Sequence, residues 1–248
     1  GVCQCKWGMS NKTTEIRKFS SAIVMKNHRR AMQPSLWRLF LLAALLTLAI
    51  FPLAWAAGTQ IVVCATGGDY TTIQAAVNAA SSGDVITVCA GLYQENIVLR
   101  AGVSIQGAGS DATIVDGGAT QSVVRALTAD IGASTMVSGL TLRNGRATSG
   151  GGIQARQGAP AFKNLVIENN EAWQDQGGGV AVLDGGRVTL TNVVVRNNRA
   201  VRGGGVAVAG TNSQLTVVSS QISANSASVS AGGALAGLRG TFSLVNTA

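Results

Sequence analysis

The chain has 248 residues with 19 basic and 11 acidic side chains, and the excess positive charge lies almost entirely in residues 1–57. That segment contains eight basic residues and one acidic residue, whereas residues 58–248, called the body below, contain 11 basic and 10 acidic residues. A nearly neutral body offers no electrostatic footprint for nucleic acid, and because the single histidine, His28, also precedes it, imidazole catalysis and histidine-ligated metals are excluded there.

Residues 32–57 have the features of a secretory signal peptide. An uncharged apolar run over residues 39–56 follows Arg38 and ends in Ala-Trp-Ala, a triplet with small residues at its first and third positions. An uncleaved signal anchor is the alternative, because the run approaches the roughly 20 residues that span a bilayer. This segment is the one place where the sequence predicts contact with a membrane. Residues 1–31 show no periodicity and are predicted to be a leader that is either disordered or not translated.

The body contains two cysteines, Cys64 and Cys89. In an oxidising compartment they are candidates for a disulfide bond. Each lies within a short apolar run, and free cysteine is among the most buried residue types, so two stacked interior thiols are the alternative.

The body begins with a predicted helix over residues 71–80. Thr71 and Gln74 have the spacing of a capping box, in which the two side chains bond to backbone N–H groups at the helix start. The apolar residues of this segment lie on one helical face: Ile73, Ala76, Val77 and Ala80. We expect the helix to cover the open end of a stack of strands.

A repeat of about 27 residues runs through the rest of the body. Glycine triplets followed by an aliphatic residue end at Ile153, Val180 and Val206, and a further copy ends at Leu235. A second block, with sequences such as FKNLVIENNEA and LTNVVVRNNRA, recurs with a similar period and alternates between apolar and polar residues, which predicts short strands. The period is too short for a propeller blade and lacks the leucine-rich repeat pattern. The sequence therefore predicts an all-β fold, a parallel β-helix (a solenoid) of about seven coils over residues 58–248.

Stacked coils place equivalent side chains in columns along the solenoid axis. Two columns are predicted to face inward, namely Val137, Phe162, Leu190 and Val217, and Leu142, Ile167, Val195 and Ile222. Two outward columns alternate in charge, namely Arg143, Glu168 and Arg196, and Arg146, Glu171 and Arg199. Opposite charges on neighbouring strands attract each other, so the alternation supports this register.

Asparagine recurs where each coil is predicted to turn sharply. Asn144, Asn169 and Asn197 occupy equivalent positions, and glycine or asparagine follows each of them. Asparagine tolerates left-handed backbone and bonds to its own main chain, so these residues are predicted to form a structural ladder.

Residues 69–118 resemble the opening of the pectin lyase-like superfamily, which includes the pectinesterases. The segments that carry the resemblance are DYTTIQAAV, GLYQENI and VSIQGAG. The later glycine triplets and Asn-Asn pairs are similar to repeats of bacterial surface proteins, among them polymorphic outer membrane proteins and adhesins. The resemblance implies a right-handed single-stranded parallel β-helix with an N-terminal capping helix. It is specific for architecture and weak for activity.

The catalytic motifs of these relatives are not found in the chain. A pectinesterase-like site requires two aspartates and an arginine on one face, and only the dipeptide Gln174-Asp175 matches the family's pattern. The lyases use clustered acidic residues to bind calcium, whereas several aspartates of the body are scattered singly beside turn glycines: Asp111, Asp116, Asp130 and Asp184. We therefore predict no catalytic residue, no metal and no cofactor.

Trp173, Asp175 and Arg202 form the predicted contact patch. Trp173 is the aromatic residue best placed to meet a ligand, and it shares with Asp175 the longest predicted turn between an alanine and a glycine triplet. Arg202 occupies the corresponding turn of the next coil. A tryptophan folded over its own coil is the alternative.

Together these features predict a monomeric, non-catalytic module that is secreted or lies on a bacterial cell surface. It is adhesin-like or binds glycans, with a polysaccharide or a cell-surface molecule as its partner. The alternative is a polysaccharide-active enzyme, similar to pectate lyases or pectinesterases, whose groove lies partly outside this chain. The final residues, TFSLVNTA, resemble an unfinished coil, so the body is predicted to continue beyond Ala248.

Overall fold

A computed structural model describes residues 58–229 and 232–248, and the predicted leader (1–31) and signal peptide (32–57) lie outside the described residues. The described chain forms a β-solenoid of about seven coils with about 27 residues per coil, as the repeat predicts. Its strands pair in parallel, apart from one isolated antiparallel bridge between Ala209 and Arg239.

The coils cross three parallel sheets. The long sheet has 12 strands, and one row of it contains β1 (Gln60–Val63), β2 (Val85–Val88), β5 (Ser104–Gly107), β8 (Met136–Ser138), β12 (Ala161–Glu168), β15 (Arg187–Arg196), β18 (Gln214–Val218) and β22 (Thr241–Val245). The other strands of the long sheet are β3 (Gly91–Gln94), β6 (Thr113–Asp116), β9 (Thr141–Arg143) and β19 (Gln221–Ser223).

The two remaining sheets complete each coil. The narrow sheet contains β10 (Arg146–Ala147), β13 (Glu171–Gln176), β16 (Arg199–Arg202) and β20 (Ser226–Ala227). The six-stranded sheet contains β4 (Ile97–Val98), β7 (Val124–Ala126), β11 (Ile153–Arg156), β14 (Val180–Leu183), β17 (Val206–Ala209) and β21 (Leu235–Leu238). Glycine triplets lie between the narrow and the six-stranded sheets in the later coils.

The predicted helix is confirmed as α1 (Ile73–Ala79), which packs on β1, β2 and β4, but the predicted capping box is wrong. Thr72 is the N-cap and makes no side-chain capping bond. The carboxylate of Glu95, from the following coil, instead accepts the backbone N–H groups of Ile73 and Gln74, both at 2.8 Å. The side chain of Gln74 accepts the backbone N–H of Val98 at 2.7 Å, so it joins the helix to β4. In the described part of the chain, no helix has the length and apolar character needed to cross a bilayer.

Both predicted inward columns are confirmed. Phe162 pairs in register with Val137 on one side and Leu190 on the other, and all three side chains are completely buried. Equivalent positions pair in register along the whole long sheet, from Ile61 to Leu244, although Leu244 in the last coil is exposed. The second column pairs in the same way on the adjoining strands. Because burial of one large apolar side chain contributes roughly 1.5–3 kcal/mol, these columns form the core of the solenoid.

The charged column on the narrow sheet has the predicted register and the predicted ion pairs. Glu171 lies opposite Arg146 on one side and Arg199 on the other. Its carboxylate accepts Nε of Arg146 at 3.1 Å and an Nη of Arg199 at 2.9 Å. One carboxylate therefore joins three successive coils.

The charged column on the long sheet has the predicted register but different ion pairs. Glu168 pairs with Arg196 at 2.7 Å and, among the described contacts, forms no ion pair with Arg143. Arg143 donates instead to Asp116 of the preceding coil at 3.1 Å. Asp116 was predicted to be an isolated turn residue, and it is in fact a further member of this column.

The asparagines form the predicted ladder, and its buried rungs are the residues that follow the turn positions. Left-handed backbone, with φ between 54° and 55°, is found at the three predicted positions: Asn144, Asn169 and Asn197. Oδ1 of Asn198 accepts both the backbone N–H and the side-chain amide of Asn170, at 2.9 and 3.0 Å. The side-chain amide of Asn198 donates to the carbonyl of Ile167 at 2.9 Å. The ladder thus satisfies buried backbone groups where the coils turn.

A second pair of asparagines, which was not predicted, lies within two long strands of the long sheet. Asn164 and Asn192 have φ of 51° and 54°, and their side chains share a hydrogen bond of 2.8 Å. Each interrupts a long strand without ending the pairing on either side.

The glycine triplets are explained by backbone geometry. Gly177 has a φ of +68°, which favours glycine. A Cβ atom at Gly178 would lie 2.4 Å from the carbonyl oxygen of Arg199, and one at Gly179 would lie 2.6 Å from that of Gly205. The triplets therefore allow the corner of one coil to stack closely on the next.

A disulfide bond joins Cys64 and Cys89, whose Cα atoms are 5.0 Å apart. The two cysteines directly follow β1 and β2, and the backbone N–H of Cys89 donates to the carbonyl of Val63 at 2.8 Å. The bond links the first coil, on which α1 packs, to the second.

Candidate functional site

The candidate site is built on a bulge in the narrow sheet. Ala172 pairs with Ala200 and Gln176 pairs with Arg202, so three residues of β13 lie opposite one residue of β16. Trp173 was predicted to lie in a turn, but it belongs to a strand, because backbone pairing continues on both sides of the bulge. A bulge redirects side chains out of the regular pleat. Trp173 is accordingly 45% exposed.

Trp173 packs against the preceding coil. The guanidinium carbon of Arg146 lies 5.2 Å from the centroid of the indole ring, within the range of a cation–π contact. The carboxylate of Glu171, which lies on the adjacent strand of the narrow sheet, forms an ion pair with the same guanidinium. The ring is therefore oriented by neighbouring side chains while much of its surface stays accessible.

The other two residues of the predicted patch bind to each other. Asp175 forms an ion pair with Arg202 and also accepts the hydroxyl of Ser149 at 3.1 Å. These contacts tie the bulge to the coils before and after it. The structure thus brings Asp175 and Arg202 together, but neither of them lines the two grooves that flank Trp173.

Two open grooves meet at Trp173. The late groove, toward the C-terminal coils, has a volume of about 410 Å3 and is lined mainly by small residues together with Glu171 and Arg199. The arginine groove, toward the N-terminal coils, has a volume of about 430 Å3. Its lining contains an aromatic side chain, three arginines and several hydroxyl and amide groups: Trp173, Arg125, Arg146, Arg156, Thr120, Gln121, Ser122, Thr148 and Gln154, together with Ala147.

The three arginines of the arginine groove differ in their partners. Arg146 pairs with Glu171 and Arg156 pairs with Asp184, and neither acidic residue lines the groove. Arg125 forms no ion pair with any described residue, and its buried Nε has no hydrogen-bond partner. The buried hydroxyl of Ser122 likewise has no partner in the described structure.

Sequence reasoning missed Arg125, although the repeat contains a signal. On the six-stranded sheet Arg125 pairs with Gln154, and the same position in the next two coils is Ala181 and Ala207. A position that is alanine in the regular coils and polar in two earlier ones marks a departure from the structural repeat. That departure coincides with the arginine groove.

Asp116 and Glu171, two carboxylates with lowered pKa values, serve structural contacts. Burial pushes the pKa of Asp116 upward, but hydrogen bonds from the N–H of Gly118, from Asn144 and from Arg143 outweigh it and leave that pKa below its ordinary value. Burial likewise opposes a lowered pKa at Glu171, where bonds to its two arginines prevail. A general acid needs a raised pKa, so neither group is suited to that role.

Acidic side chains do not gather into a metal-binding cluster in the described ranges. Within residues 58–229 and 232–248, no three histidine, cysteine, aspartate or glutamate side chains come together as metal ligands. Two of the four aspartates expected at turns form ion pairs, namely Asp116 and Asp184.

Several solved structures are similar to the chain. No curated protein sequence matches the chain. Among solved structures, a carrot pectin methylesterase is similar, with 17% identity and a TM-score of 0.47 over 73% of this chain and 64% of the enzyme. Pectin methylesterase PemA from Erwinia chrysanthemi is similar, with 12% identity and a TM-score of 0.42 over 66% of this chain and 65% of the enzyme. The chain thus covers less than two thirds of either enzyme.

A family model described as a right-handed β-helix region matches residues 67–222. The match includes the bulge and the arginine groove, and it ends before the last residues that line the late groove. It agrees with the architecture that the resemblance of residues 69–118 implied. The chain belongs to the right-handed β-helix family.

Proposed function

We propose that this protein is a non-catalytic module, secreted or exposed on a bacterial cell surface, that binds glycans through the surface around Trp173. Its repeats build a regular scaffold, and the bulge of β13 presents an aromatic ring on that scaffold. The proposal treats the protein as a monomer, with a polysaccharide or a glycan of a neighbouring cell surface as its partner.

The observation that supports the proposal most strongly is the position of Trp173. The ring is half exposed, is fixed from one side by Arg146, and lies between two open grooves. An indole combines a large apolar face with a polar N–H, which suits contact with the faces and hydroxyl groups of sugar rings. Hydroxyl and amide side chains line the arginine groove beside it.

The engagement of the carboxylates favours binding over catalysis. Of the acidic residues in the body, eight accept hydrogen bonds from backbone or side-chain groups that hold the fold together: Asp69, Asp84, Glu95, Asp116, Glu168, Glu171, Asp175 and Asp184. Hydrogen bonds from the backbone N–H groups of Ser81 and Thr59 lower the pKa of Asp84. Carboxylates held in this way are poorly placed to exchange protons with a substrate.

The test measures binding and turnover of the full chain against a panel of neutral and acidic polysaccharides. We expect binding without release of shorter or de-esterified products. Trp173→Ala should weaken binding about tenfold or more, because an aromatic anchor at the centre of a contact surface carries much of the affinity. Leu92→Ala is the matched control, since Leu92 is also large and exposed (56%) but lines neither groove.

Two outcomes contradict the proposal. Equal losses in the two variants would show that Trp173 has no special part in binding. Turnover abolished by substitutions within the body would favour the alternative, a polysaccharide-active enzyme.

A further inference from the structure

The outer surface of the long sheet carries a column of alternating charges that crosses four successive coils. Its members are Asp116, Arg143, Glu168 and Arg196, and register pairing places each of them beside the next. Neighbouring strands of a sheet lie about 4.8 Å apart, so the sign of the charge changes with that repeat. The two arginine side chains are 32% and 48% exposed, so their charged ends are accessible from solvent.

The middle of this column contains two opposite charges in register that form no ion pair. Arg143 pairs with Asp116 and Arg196 pairs with Glu168, so the four charges form two separate ion pairs. Arg143 and Glu168 lie on adjacent strands, but the described contacts include no ion pair between them. In the described structure Arg196 contacts Oε2 of Glu168, whereas Oε1 accepts no hydrogen bond and forms no ion pair. The scaffold thus leaves one carboxylate oxygen able to accept an arginine from outside the chain.

Partly exposed aliphatic residues lie beside the charged column. Val166 and Val194 come two residues before Glu168 and Arg196 on the same strands, so they project from the same face of the sheet. The two valines are paired in register and partly exposed. We call the charged column and these two valines together the striped face.

A second copy of the chain matches the striped face when the two solenoids are antiparallel. Consider a two-fold axis that lies in the plane of contact, perpendicular to the solenoid axis, and passes between the strands of Arg143 and Glu168. Arg143 of one copy then lies opposite Glu168 of the other, and Asp116 lies opposite Arg196, because all four charges share one repeat. A two-fold axis parallel to the solenoid axis would instead place each residue opposite its own copy, so like charges would meet. The order of the charges therefore favours the antiparallel dimer.

We propose that two copies of this chain associate through the striped face as an antiparallel, two-fold symmetric dimer. Arg143 of each copy supplies the ion pair that Glu168 lacks within its own chain. The contact spans only a few coils, so the interface is small and the dimer is weak. This inference goes beyond the proposed function and does not rest on it. Dilute protein is monomeric, as the glycan proposal assumes, and the narrow sheet with Trp173 lies outside the striped face.

Sedimentation of the full chain at increasing concentration measures the association. We expect a monomer–dimer equilibrium with a dissociation constant below about 1 mM at low salt. The dimer should weaken in concentrated salt, because the Debye length falls to about 3 Å at 1 M. A chain that stays monomeric up to a concentration of about 1 mM overturns the inference, and so does association that salt leaves unchanged.

Two reversals of charge test the two-fold arrangement. Glu168→Arg and Arg143→Glu each replace an attraction across the dimer by a repulsion, so each variant alone should associate about tenfold more weakly or worse. An equal mixture of the two variants should recover the association, because the reversed residue of one chain meets the oppositely reversed residue of the other. The unchanged Arg143 and Glu168 of the mixed dimer also remain opposite each other. Single variants that associate like the wild type, or a mixture that associates no better than its components, would overturn the inference.

Arg187→Glu is the matched control for net charge. It changes the charge of the chain by the same amount as Arg143→Glu, and Arg187 is exposed and lies at the opposite end of β15 from Arg196. Arg187 forms no ion pair in the described structure, so this change should alter the dissociation constant less than about twofold. An effect as large as that of Arg143→Glu would mean that only net charge matters, which overturns the inference.

Thermal unfolding shows whether each variant is folded at the temperature of the assay. Recovery in the mixture is a further guard, since it requires both variants to be folded. If a reversed charge prevents folding, Glu168→Gln removes the attraction without adding a repulsion and should still weaken association. Equal association of Glu168→Gln and the wild type would overturn the inference. Trp173→Ala should leave self-association unchanged, so loss of glycan binding and loss of the dimer are distinguishable outcomes.

Discussion

Replacement of Glu171 by glutamine tests the stacked charges, because Glu171 lies between arginines of two neighbouring coils. Its oxygens lie 3.1 Å from Nε of Arg146 and 2.9 Å from an Nη of Arg199. Exposed ion pairs contribute roughly 0.2–1 kcal/mol each, and both arginine side chains are largely solvated, with 46% and 69% of their surface exposed. We therefore expect Glu171→Gln to lower the free energy of unfolding by about 1 kcal/mol at low salt.

Denaturant unfolding at two salt concentrations provides the measurement. The Debye length falls from about 10 Å at 0.1 M salt to about 3 Å at 1 M, so the difference between wild type and variant should shrink in high salt. Glu168→Gln is the control, because Glu168 pairs with one arginine and should cost about half as much. A difference that persists unchanged at 1 M salt, or that is equal for the two variants, would refute the electrostatic account.

The pH dependence of the same variant has a definite sign. The pKa of Glu171 is lowered in the folded state from its ordinary value of 4.5. Its contribution to stability is therefore complete above that ordinary value and is lost as the pH falls through the lower folded pKa. The wild type should therefore have a larger free energy of unfolding than Glu171→Gln at neutral pH, and this difference should disappear in acid. A difference in the free energy of unfolding that grows below a pH of about 4 would contradict a lowered pKa at Glu171.

Three further changes probe the scaffold. Replacing Cys64 and Cys89 by serine should lower the free energy of unfolding by about 3 to 4 kcal/mol, because the disulfide closes a loop with a sequence separation of 25. A reductant should produce the same loss in the wild type and none in the serine variant. Asn198→Ala should lower the free energy of unfolding, measured in denaturant, by about 2 to 4 kcal/mol, because two buried donors of Asn170 lose their acceptor. Asn192→Gly, at an exposed left-handed position, should lower it by less than about 1 kcal/mol. Glu95→Ala should cost about 1 kcal/mol and increase amide hydrogen exchange in α1, and unchanged exchange would rule out Glu95 as the cap.

The repeat predicted the fold well because each coil obeys the same local rules. Alternating side chains, left-handed asparagines and closely stacked glycines all recur with one period, so one register satisfies the apolar and the charged columns together. Asp116 was missed although it lies 27 residues before Arg143, since the charged column was not extended into the less regular early coils. The cap of α1 was missed for a different reason. Glu95 contacts the helix from another coil, so the residues near the helix in the sequence do not indicate that contact.

The candidate site was less predictable because it depends on departures from the repeat. The extra residues of the Trp173 segment were visible, but whether they form a turn or a bulge depends on pairing with the neighbouring coils. The partners of Asp175 and Arg202 follow from that pairing and tie them to the scaffold. Arg125 was not found because its significance depends on burial without a partner, which a sequence does not show.

A crystal structure of the full chain with a bound oligosaccharide, prepared from a polysaccharide that binds, tests the central claim most directly. The account predicts an intact sugar chain with one ring against the indole of Trp173. A sugar chain bound away from Trp173, or cleaved within the crystal, would contradict it.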